Sequence, residues 1–412
     1  MLNSRIYYGW VVVGATFLIL FAAFGVVYSF GAFFSVLSTE FGASRASVSS
    51  IFSYAVSTLF ITGAISGVIA DRHGPKKVMA GGVVAIAAGL IVAANAQQLW
   101  LVSLSFAVGV GTGVGFVYIP AISTVQRWFS RRRGLASGIA VTGIGFGTLV
   151  APIVAGALLE SMTWRTVFLL MAIVVVAGGF IAVALIESDP AARGKDRNEA
   201  VLEEHAAPLH RNLRLGEIIR SRPFTQFYAA QAALSVAIFI PFVHLVPFAE
   251  DVSISRNHAV NILGLVGLGS TLGRFLVGGV ADRLGRRLTL VLLLAGISFA
   301  YVVWLLASSI VGLSIFALAF GVFYGGYVAL IPALLADYFS GPNLSSVIGL
   351  QYTASVVGSL GGPVMAGHLF DRTGSYASAL IVAGICAGIS SYLIAATSAQ
   401  PTTPGRASLD PS

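Results

Sequence analysis

Long uncharged stretches of apolar residues recur along the whole sequence. A helix that crosses a bilayer needs about 20 predominantly apolar residues, and each of these stretches is close to or above that length. The pattern predicts an all-α, polytopic membrane protein with 12 transmembrane helices in two six-helix bundles. The predicted helices occupy about 8–34, 46–70, 78–96, 99–125, 134–159 and 163–186, and then 223–249, 258–281, 288–308, 310–336, 345–369 and 376–397.

A polar segment separates the two sets of six stretches. It carries charged residues such as Glu203, Glu204 and Arg211, which cannot stay in hydrocarbon. We expect the first apolar stretch to be retained as a helix, because it is too long for a signal peptide and eleven more follow. The predicted domains are an N-terminal bundle at 1–190, a cytoplasmic linker at 191–222, a C-terminal bundle at 223–400 and a cytoplasmic tail at 401–412.

The two halves of the sequence repeat each other at an offset of 211 residues. Residues 67–74 align with residues 278–285 at this offset, and Pro152 falls on Pro363. An internal duplication of this kind predicts two related structural units. Parallel repeats of six helices are typical of transporters, which bind their substrate between the two units near the membrane midplane.

Composition and charge agree with a membrane protein. The chain is 57% hydrophobic and 10% charged, with a mean hydropathy of +0.90, which excludes an ordinary soluble domain. Most of the 24 Lys and Arg residues fall on one side of the predicted membrane, together with both termini, so we expect both termini to be cytoplasmic. The net charge of +8 therefore reflects topology and not a nucleic-acid partner. The single cysteine, Cys386, is expected to be a packing residue.

A short motif occurs at the inner ends of the second and eighth predicted helices. Its glycines permit close helix approach and a tight turn, while its carboxylate can pair with a basic residue or cap a helix across the seam between the halves. A pair that forms in one conformation and breaks in another would be a gate latch. A loop that serves only membrane insertion would explain the basic residues but not the repeated Asp and Gly. The gating residues are Gly67, Asp71, Arg72 and Gly74, and Asp282, Arg283, Gly285 and Arg286.

This duplicated motif resembles the signature of the major facilitator superfamily. Tyr8-Gly9-Trp10 at the start of the first helix and the lone arginine of the eighth further resemble the bacterial monocarboxylate porter and oxalate:formate antiporter branch. The resemblance implies two six-helix bundles that rock around a central cavity and expose it to each side in turn.

Arg274 is the residue that points most directly to a function. It precedes Asp282 by eight residues, so it lies roughly 12 Å into the membrane. An unpaired cation at that depth costs at least about 2.5–3.5 kcal/mol, and the predicted helices contain no Asp or Glu. We expect an anionic substrate to supply the counter-charge, held by the planar guanidinium. The alternative is an arginine satisfied by backbone carbonyls and water.

Two differences from the transporter families that this chain resembles refine the expected substrate and the expected proton-binding residue. Oxalate:formate antiporters carry a lysine in the eleventh helix, whereas this helix has no basic residue before His368, which favours a monoanion. Animal monocarboxylate carriers have an aspartate one turn before the arginine, where this chain has Ser270, so a coupled proton must bind elsewhere.

His244 is the candidate for that proton. It lies between Pro241 and Pro247, which predict a local break in the seventh helix. A histidine titrates in the physiological range and could take up a proton with the anion. The alternative is an interfacial histidine bonded to a carbonyl that a proline leaves free.

Tyrosines at midplane depth are candidates for lining the cavity, because a hydroxyl can bind a carboxylate and the ring suits a short carbon chain. Two of them share a face with several phenylalanines, a pattern that packing alone also explains. Gln231, Gln351 and Tyr352 are further polar candidates. The tyrosines are Tyr28, Tyr118, Tyr324 and Tyr327.

These observations favour a proton-coupled symporter of small monocarboxylates, lactate- or pyruvate-like, in the cell inner (plasma) membrane. Organic-anion exchange and, less strongly, drug efflux stay open as alternatives. The sequence shows no ATP-binding motif, metal cluster or paired nucleophile and base, so we expect no enzyme activity, metal or cofactor. The expected partners are a small carboxylate, a proton and the lipid bilayer, and a monomer is plausible.

Overall fold

A computed structural model describes residues 7–129, 133–187, 215–339 and 344–397 of the chain. These residues form helices joined by short turns, and none of them lies in a strand. Most of the predicted linker, the whole predicted tail and Arg5 lie outside the described residues. The part of the linker that is described contains a short helix, Leu215–Ile219.

The helices of the first half are numbered α1 to α6. They are α1 (Tyr8–Tyr28 and Phe30–Phe41), α2 (Arg45–His73), α3 (Pro75–Ala94), α4 (Leu99–Ser105, Phe106–Gly111 and Thr112–Trp128), α5 (Arg133–Leu159) and α6 (Trp164–Leu185). Those of the second half are α7 (Arg222–Asp251), α8 (Arg256–Leu284), α9 (Arg286–Leu306), α10 (Ile310–Tyr338), α11 (Leu344–Thr353 and Ser355–Thr373) and α12 (Ala377–Ala395).

Eleven helical spans in the described ranges are long and apolar enough to cross a membrane. The two segments of α11 are not among them, although they coincide with the predicted stretch 345–369. Many large apolar side chains in these helices face outward, such as Ile173, Phe299 and Val311, each more than 60% exposed. Such an apolar exterior is expected of a multi-pass membrane protein, because lipid and not water surrounds it.

Three helices depart from regular α-geometry. Helix α1 is interrupted at Ser29 and helix α11 at Ala354, while residues Phe106–Gly111 of α4 form a π-helical turn. Broken membrane helices are tolerated where they line a cavity or are buried in protein, and π-turns are frequent at functional sites.

The predicted break in the seventh helix was wrong. Helix α7 is continuous from Arg222 to Asp251, with Pro241 and Pro247 inside it. A proline at position 241 leaves the carbonyl of Ala237 without its helical donor. The buried Tyr301 hydroxyl of α9 donates a hydrogen bond to that carbonyl instead, so the carbonyl of Ala237 is not left unsatisfied.

Glycines bring the two halves into backbone contact. A Cβ at Gly267 of α8 would lie 2.4 Å from the backbone nitrogen of Leu149 in α5, and one at Gly367 of α11 would lie 2.6 Å from the nitrogen of Ala46 in α2. No larger residue fits at such a distance. The halves are therefore packed through the pairs α5–α8 and α2–α11, as small residues permit in membrane helices.

Candidate functional site

Arg274 of α8 lies between the halves, next to Gly145 of α5. Its side chain is half-buried, and its Nε and Nη1 atoms are shielded from solvent with no hydrogen-bond partner among the described residues. None of the ion pairs in the described ranges includes it. The guanidinium is therefore a desolvated cation that still has donors to offer.

Four tyrosines lie within electrostatic reach of the Arg274 guanidinium. They come from both halves of the protein: Tyr28 of α1, Tyr118 of α4, Tyr324 of α10 and Tyr352 of α11. Three of them are among the four tyrosines that the sequence suggested. Tyr352 had been only a lesser candidate, and no sequence signal distinguished it from the other polar residues of α11.

Aromatic rings hold these tyrosines in place. Tyr28 stacks on Phe242 of α7 with ring centroids 4.3 Å apart, and its hydroxyl lies 3.4 Å from that of Tyr324. Tyr324 also meets Phe242, at 5.8 Å, while Tyr118 packs edge-on against Phe24 at 5.3 Å. The site thus combines one cation and several hydroxyls with apolar ring faces, a composition that suits a small organic anion.

A glycine leaves room for the arginine. A Cβ at Gly145 of α5 would lie 2.2 Å from Oγ1 of Thr271 and 3.1 Å from Nη1 of Arg274. The arginine therefore sits against the bare backbone of the opposite half. Neither Gly145 nor Thr271 stands out in the sequence, because a glycine in a glycine-rich helix gives no local signal of what it faces.

Tyr327 occupies a different position from the other sequence-predicted tyrosines. It lines a small cavity inside the second half of the chain, together with Gln231 and Gln351. The side chain of Tyr327 is 4% exposed and its hydroxyl has no partner among the described residues. Gln231 donates to Ser355 at 2.7 Å.

His244 lies at the seam between the halves, near the outer end of the bundle. The outer end is the side that the distribution of basic residues predicts to face away from the cytoplasm. Its Nε2 is 2.8 Å from the carbonyl of Pro363 and its Nδ1 is 2.9 Å from the hydroxyl of Tyr376. Because a carbonyl only accepts, Nε2 carries the hydrogen and Nδ1 of the neutral ring accepts from Tyr376. The Oγ of Ser49 in α2 lies 3.1 Å from Nε2.

Tyr376 joins this histidine to a charged cluster. It lies between α11 and α12, and burial raises the pKa of its phenol above the ordinary value. The hydroxyl accepts a hydrogen bond from Nη1 of Arg45 in α2, at 2.7 Å. Arg45 also forms a bidentate ion pair with Asp251 of α7, with both distances 2.7 Å, and its guanidinium lies 3.7 Å from the ring centre of Phe370.

Other contacts between the halves cluster at the same outer end. Asp371 of α11 accepts hydrogen bonds from the backbone nitrogens of Arg45 and Ala46, both at 3.0 Å, and so caps the first turn of α2. Ser35 of α1 bonds Glu250 of α7, and Asn257 of α8 bonds Glu160 after α5.

Among the described residues, the gating motif forms ion pairs within each half and none across the seam. Asp71 forms an ion pair with Arg127 at the end of α4, at 2.8 Å, and Arg286 forms one with Asp337 at the end of α10. Gly74 and Gly285 both have a positive φ, +86° and +82°, where a side chain would be strained. The turns that follow α2 and α8 therefore have the same backbone geometry at their glycines. Asp282, the residue that corresponds to Asp71, is exposed.

No group of three or more metal-ligating side chains occurs within the described ranges of the chain. The six histidines of the sequence are scattered.

Comparison with known proteins finds a matching family and several similar proteins. The model of the Major Facilitator Superfamily matches residues 16–248 and 227–410. Monocarboxylate transporter 12 of Rattus norvegicus is 28% identical over 94% of this chain and 85% of its own length. Monocarboxylate transporter 13 of Bos taurus is 26% identical over 92% of this chain and 86% of its own. Monocarboxylate transporter 3 of Rattus norvegicus is 29% identical over 93% and 80%.

Proposed function

The chain belongs to the Major Facilitator Superfamily, and we propose that it is a secondary transporter of small monocarboxylates. The observation that carries this proposal is the desolvated Arg274 guanidinium, which has no acidic partner among the described residues. A carboxylate can accept two parallel hydrogen bonds from a guanidinium. The hydroxyls of Tyr28, Tyr118 and Tyr324 could then bind the 2-hydroxyl or 2-oxo group of an acid such as lactate or pyruvate.

The relatives support this substrate class, because those compared above are named monocarboxylate transporters. The resemblance to the monocarboxylate porter and oxalate:formate antiporter branch is in line with it. Helix α11 has no basic residue before His368, which favours a monoanion over a dicarboxylate such as oxalate, since one guanidinium neutralises one carboxylate.

We further propose that transport proceeds by alternating access. In this proposal α11 crosses the membrane as well, which brings the total to twelve crossings. The two six-helix bundles rock about the site. The protein lies in the inner (plasma) membrane with both termini on the cytoplasmic side. The cluster of contacts between the halves at the outer end favours a conformation in which the substrate reaches Arg274 from inside. Asp71 and Asp282 would act as latches in the opposite conformation.

Proton symport through His244 is the proposed coupling. The neutral ring accepts from Tyr376, which in turn accepts from Arg45. A proton on Nδ1 would reverse the first of these bonds and place a second positive charge next to Arg45. That charge would weaken the outer contacts, so proton binding from outside would favour opening there.

Anion exchange is the second candidate, and the same Arg274 observation favours it. A carrier whose buried guanidinium has no counter-charge pays a large desolvation penalty when it reorients empty. It would then return only after it binds a second anion, and no proton would be needed.

Uptake into proteoliposomes separates these possibilities. We expect labelled lactate or pyruvate to accumulate when the outside is acidic, and dicarboxylates to accumulate less. Arg274→Gln should lower apparent substrate affinity at least about 30-fold, because loss of a charge-assisted contact of about 2 kcal/mol has that effect. Arg222→Gln is the matched control, since Arg222 is exposed and distant in sequence from the site.

Each outcome has a distinct meaning. Wild-type affinity in Arg274→Gln would contradict the anion site. We expect His244→Gln to lose stimulation by the pH gradient but to keep lactate counterflow. Wild-type counterflow without any response to the pH gradient would contradict symport and support exchange.

A further inference from the structure

A small cavity lies inside the second half of the chain, among helices α7, α9, α10, α11 and α12. Its volume is about 10 Å³, and apolar side chains such as Phe227, Leu290 and Ile331 form much of its wall. Four polar side chains also reach it, namely Gln231 of α7, Tyr327 of α10, Gln351 of α11 and Ser390 of α12. Each comes from a different helix.

Three of these side chains, those of Tyr327, Gln351 and Ser390, each have one oxygen without a hydrogen-bond partner in the described ranges. Tyr327 Oη, Gln351 Oε1 and Ser390 Oγ are shielded from solvent and bond to no group in the described ranges. Their residues are 4%, 2% and 1% exposed. Buried polar atoms are rarely left unpaired, because each one loses its bonds to water on folding. Three such atoms at one cavity point to a shared partner.

We propose that this cavity binds a single water molecule that bridges α10, α11 and α12. A water needs a cavity of roughly 10–15 Å³ and typically makes about three hydrogen bonds, so both the size and the number of partners fit. The water would donate to Gln351 Oε1, which can only accept, and would accept from the Tyr327 hydroxyl. The water would also form a hydrogen bond with the Ser390 hydroxyl, either by donating its second hydrogen or by accepting at its second lone pair.

Other occupants fit this cavity less well. A metal cation would find three neutral oxygens and no carboxylate at the site, where cations such as Mg²⁺ and Ca²⁺ prefer carboxylates and six or more ligands. An organic molecule is too large. An empty cavity would leave three polar atoms unsatisfied.

The proposed water has a consequence for the anion site. The amide nitrogen of Gln351 already donates to the carbonyl of Phe227 in α7, at 2.7 Å. With the water on Oε1, both ends of this amide are held, and so is the inner segment of α11. That segment carries Tyr352, which lies within electrostatic reach of Arg274. The water is thus a structural support behind the site.

Melting temperatures of single variants test the proposal without reference to transport. If the water is present, Tyr327→Phe removes one of its partners and lowers the melting temperature. We expect Ser390→Ala to do the same, and the double variant to lose less than the sum, because the first change already weakens the water. Tyr392→Phe is the matched control, since that hydroxyl belongs to a tyrosine that is 71% exposed.

A dry cavity gives the opposite sign. Tyr327→Phe would then remove an unsatisfied hydroxyl, so a melting temperature equal to or above that of the wild type would overturn the proposal. A high-resolution structure provides a second test. Density for one water within hydrogen-bonding distance of the three oxygens would support it, whereas no density there in a map that resolves other buried waters would reject it.

Discussion

The position of Arg274 depends on uncharged neighbours as much as on its own helix. Gly145 of the opposite half gives its Nη1 room, and Thr271, one turn earlier in α8, fills the space beside that glycine. Thr271 is fixed in turn by a hydrogen bond to the carbonyl of Gly267, at 3.1 Å. The guanidinium is therefore positioned by backbone packing between the halves, since no acid among the described residues holds it.

Gly145→Ala tests this packing. The added Cβ would lie 2.2 Å from Thr271 Oγ1 and so must displace Thr271, Arg274 or the whole of α5. Overpacking of this kind costs typically about 1–3 kcal/mol, and we expect it to raise the KM for lactate roughly tenfold. Thr271→Ala in the same background should restore part of the affinity, because it removes the nearest atom.

Gly138→Ala is the control for the glycine prediction. It adds the same methyl group to the same helix at a position where a Cβ finds no atom within 4 Å. Its KM should match that of the wild type. An unchanged KM in Gly145→Ala would contradict a positioning role for this glycine.

At this scale the sequence reveals charge but not neighbours. Arg274 could be predicted because a lone cation among uncharged residues has an evident energetic cost. Tyr28, Tyr118 and Tyr324 could be proposed from depth alone. Tyr352 and Gly145 could not, because their relation to Arg274 depends on how helices of different halves rotate and pack.

Among the helices, α7 shows how a proline can be accommodated without a break. Pro241 frees the carbonyl of Ala237, and the Tyr301 hydroxyl from α9 takes the missing donor's place. The side chain of Tyr301 is only 1% exposed, so water does not compete for the bond. The uninterrupted course of α7 keeps Phe242 and His244 on one continuous helix, between the anion site and the outer end.

Tyr301→Phe should destabilise the protein by about 1–3 kcal/mol, because it leaves a buried carbonyl without a donor. In a Pro241→Ala background the restored backbone N–H can bond Ala237, and the same change should cost much less. Denaturation of the four proteins in detergent measures both effects. Equal losses in the two backgrounds would show that the tyrosine does not replace the proline's missing donor.

The existence of the helices was easier to predict than their irregularities. Uncharged stretches of 20 or more residues leave few alternatives to a membrane helix, and the predicted stretches coincide with the helices observed. The breaks at Ser29 and Ala354 carry no proline or glycine at the break itself. They depend on tertiary contacts, such as the approach of Gly31 to the carbonyl of Phe242, which a sequence pattern does not contain.

Across the whole molecule, the described ion pairs divide between the two ends of the bundle. At the outer end Arg45, Asp251 and Asp371 join one half to the other. At the inner end the ion pairs Asp71–Arg127 and Arg286–Asp337 each stay within one half. Each pair joins the inner end of α4 or α10 to a residue close to the turn after α2 or α8, so the pairs stabilise each half as a unit and leave the halves free to move as units.

The Arg45–Asp251 pair should therefore bias the protein towards the outer-closed conformation. Both side chains are partly exposed, at 20% and 34%, and Arg45 keeps Tyr376 and Phe370 when the pair is lost. We expect Asp251→Asn to weaken closure by about 1 kcal/mol, which is roughly a fivefold change in the ratio of the two conformations.

Spin labels at the outer end measure this ratio. Cysteines at Ser161 and Ser308, both exposed in loops of opposite halves, would be introduced after replacement of Cys386. Asp251→Asn should increase the population with the longer distance between labels. Glu40→Gln is the matched control, because it breaks an ion pair with Arg165 at the same end but within one half. If both variants lengthen the distance equally, a general loosening of the outer end is responsible and not the loss of the contact between the halves. If neither variant lengthens it, closure depends on the glycine-mediated packing of α5–α8 and α2–α11.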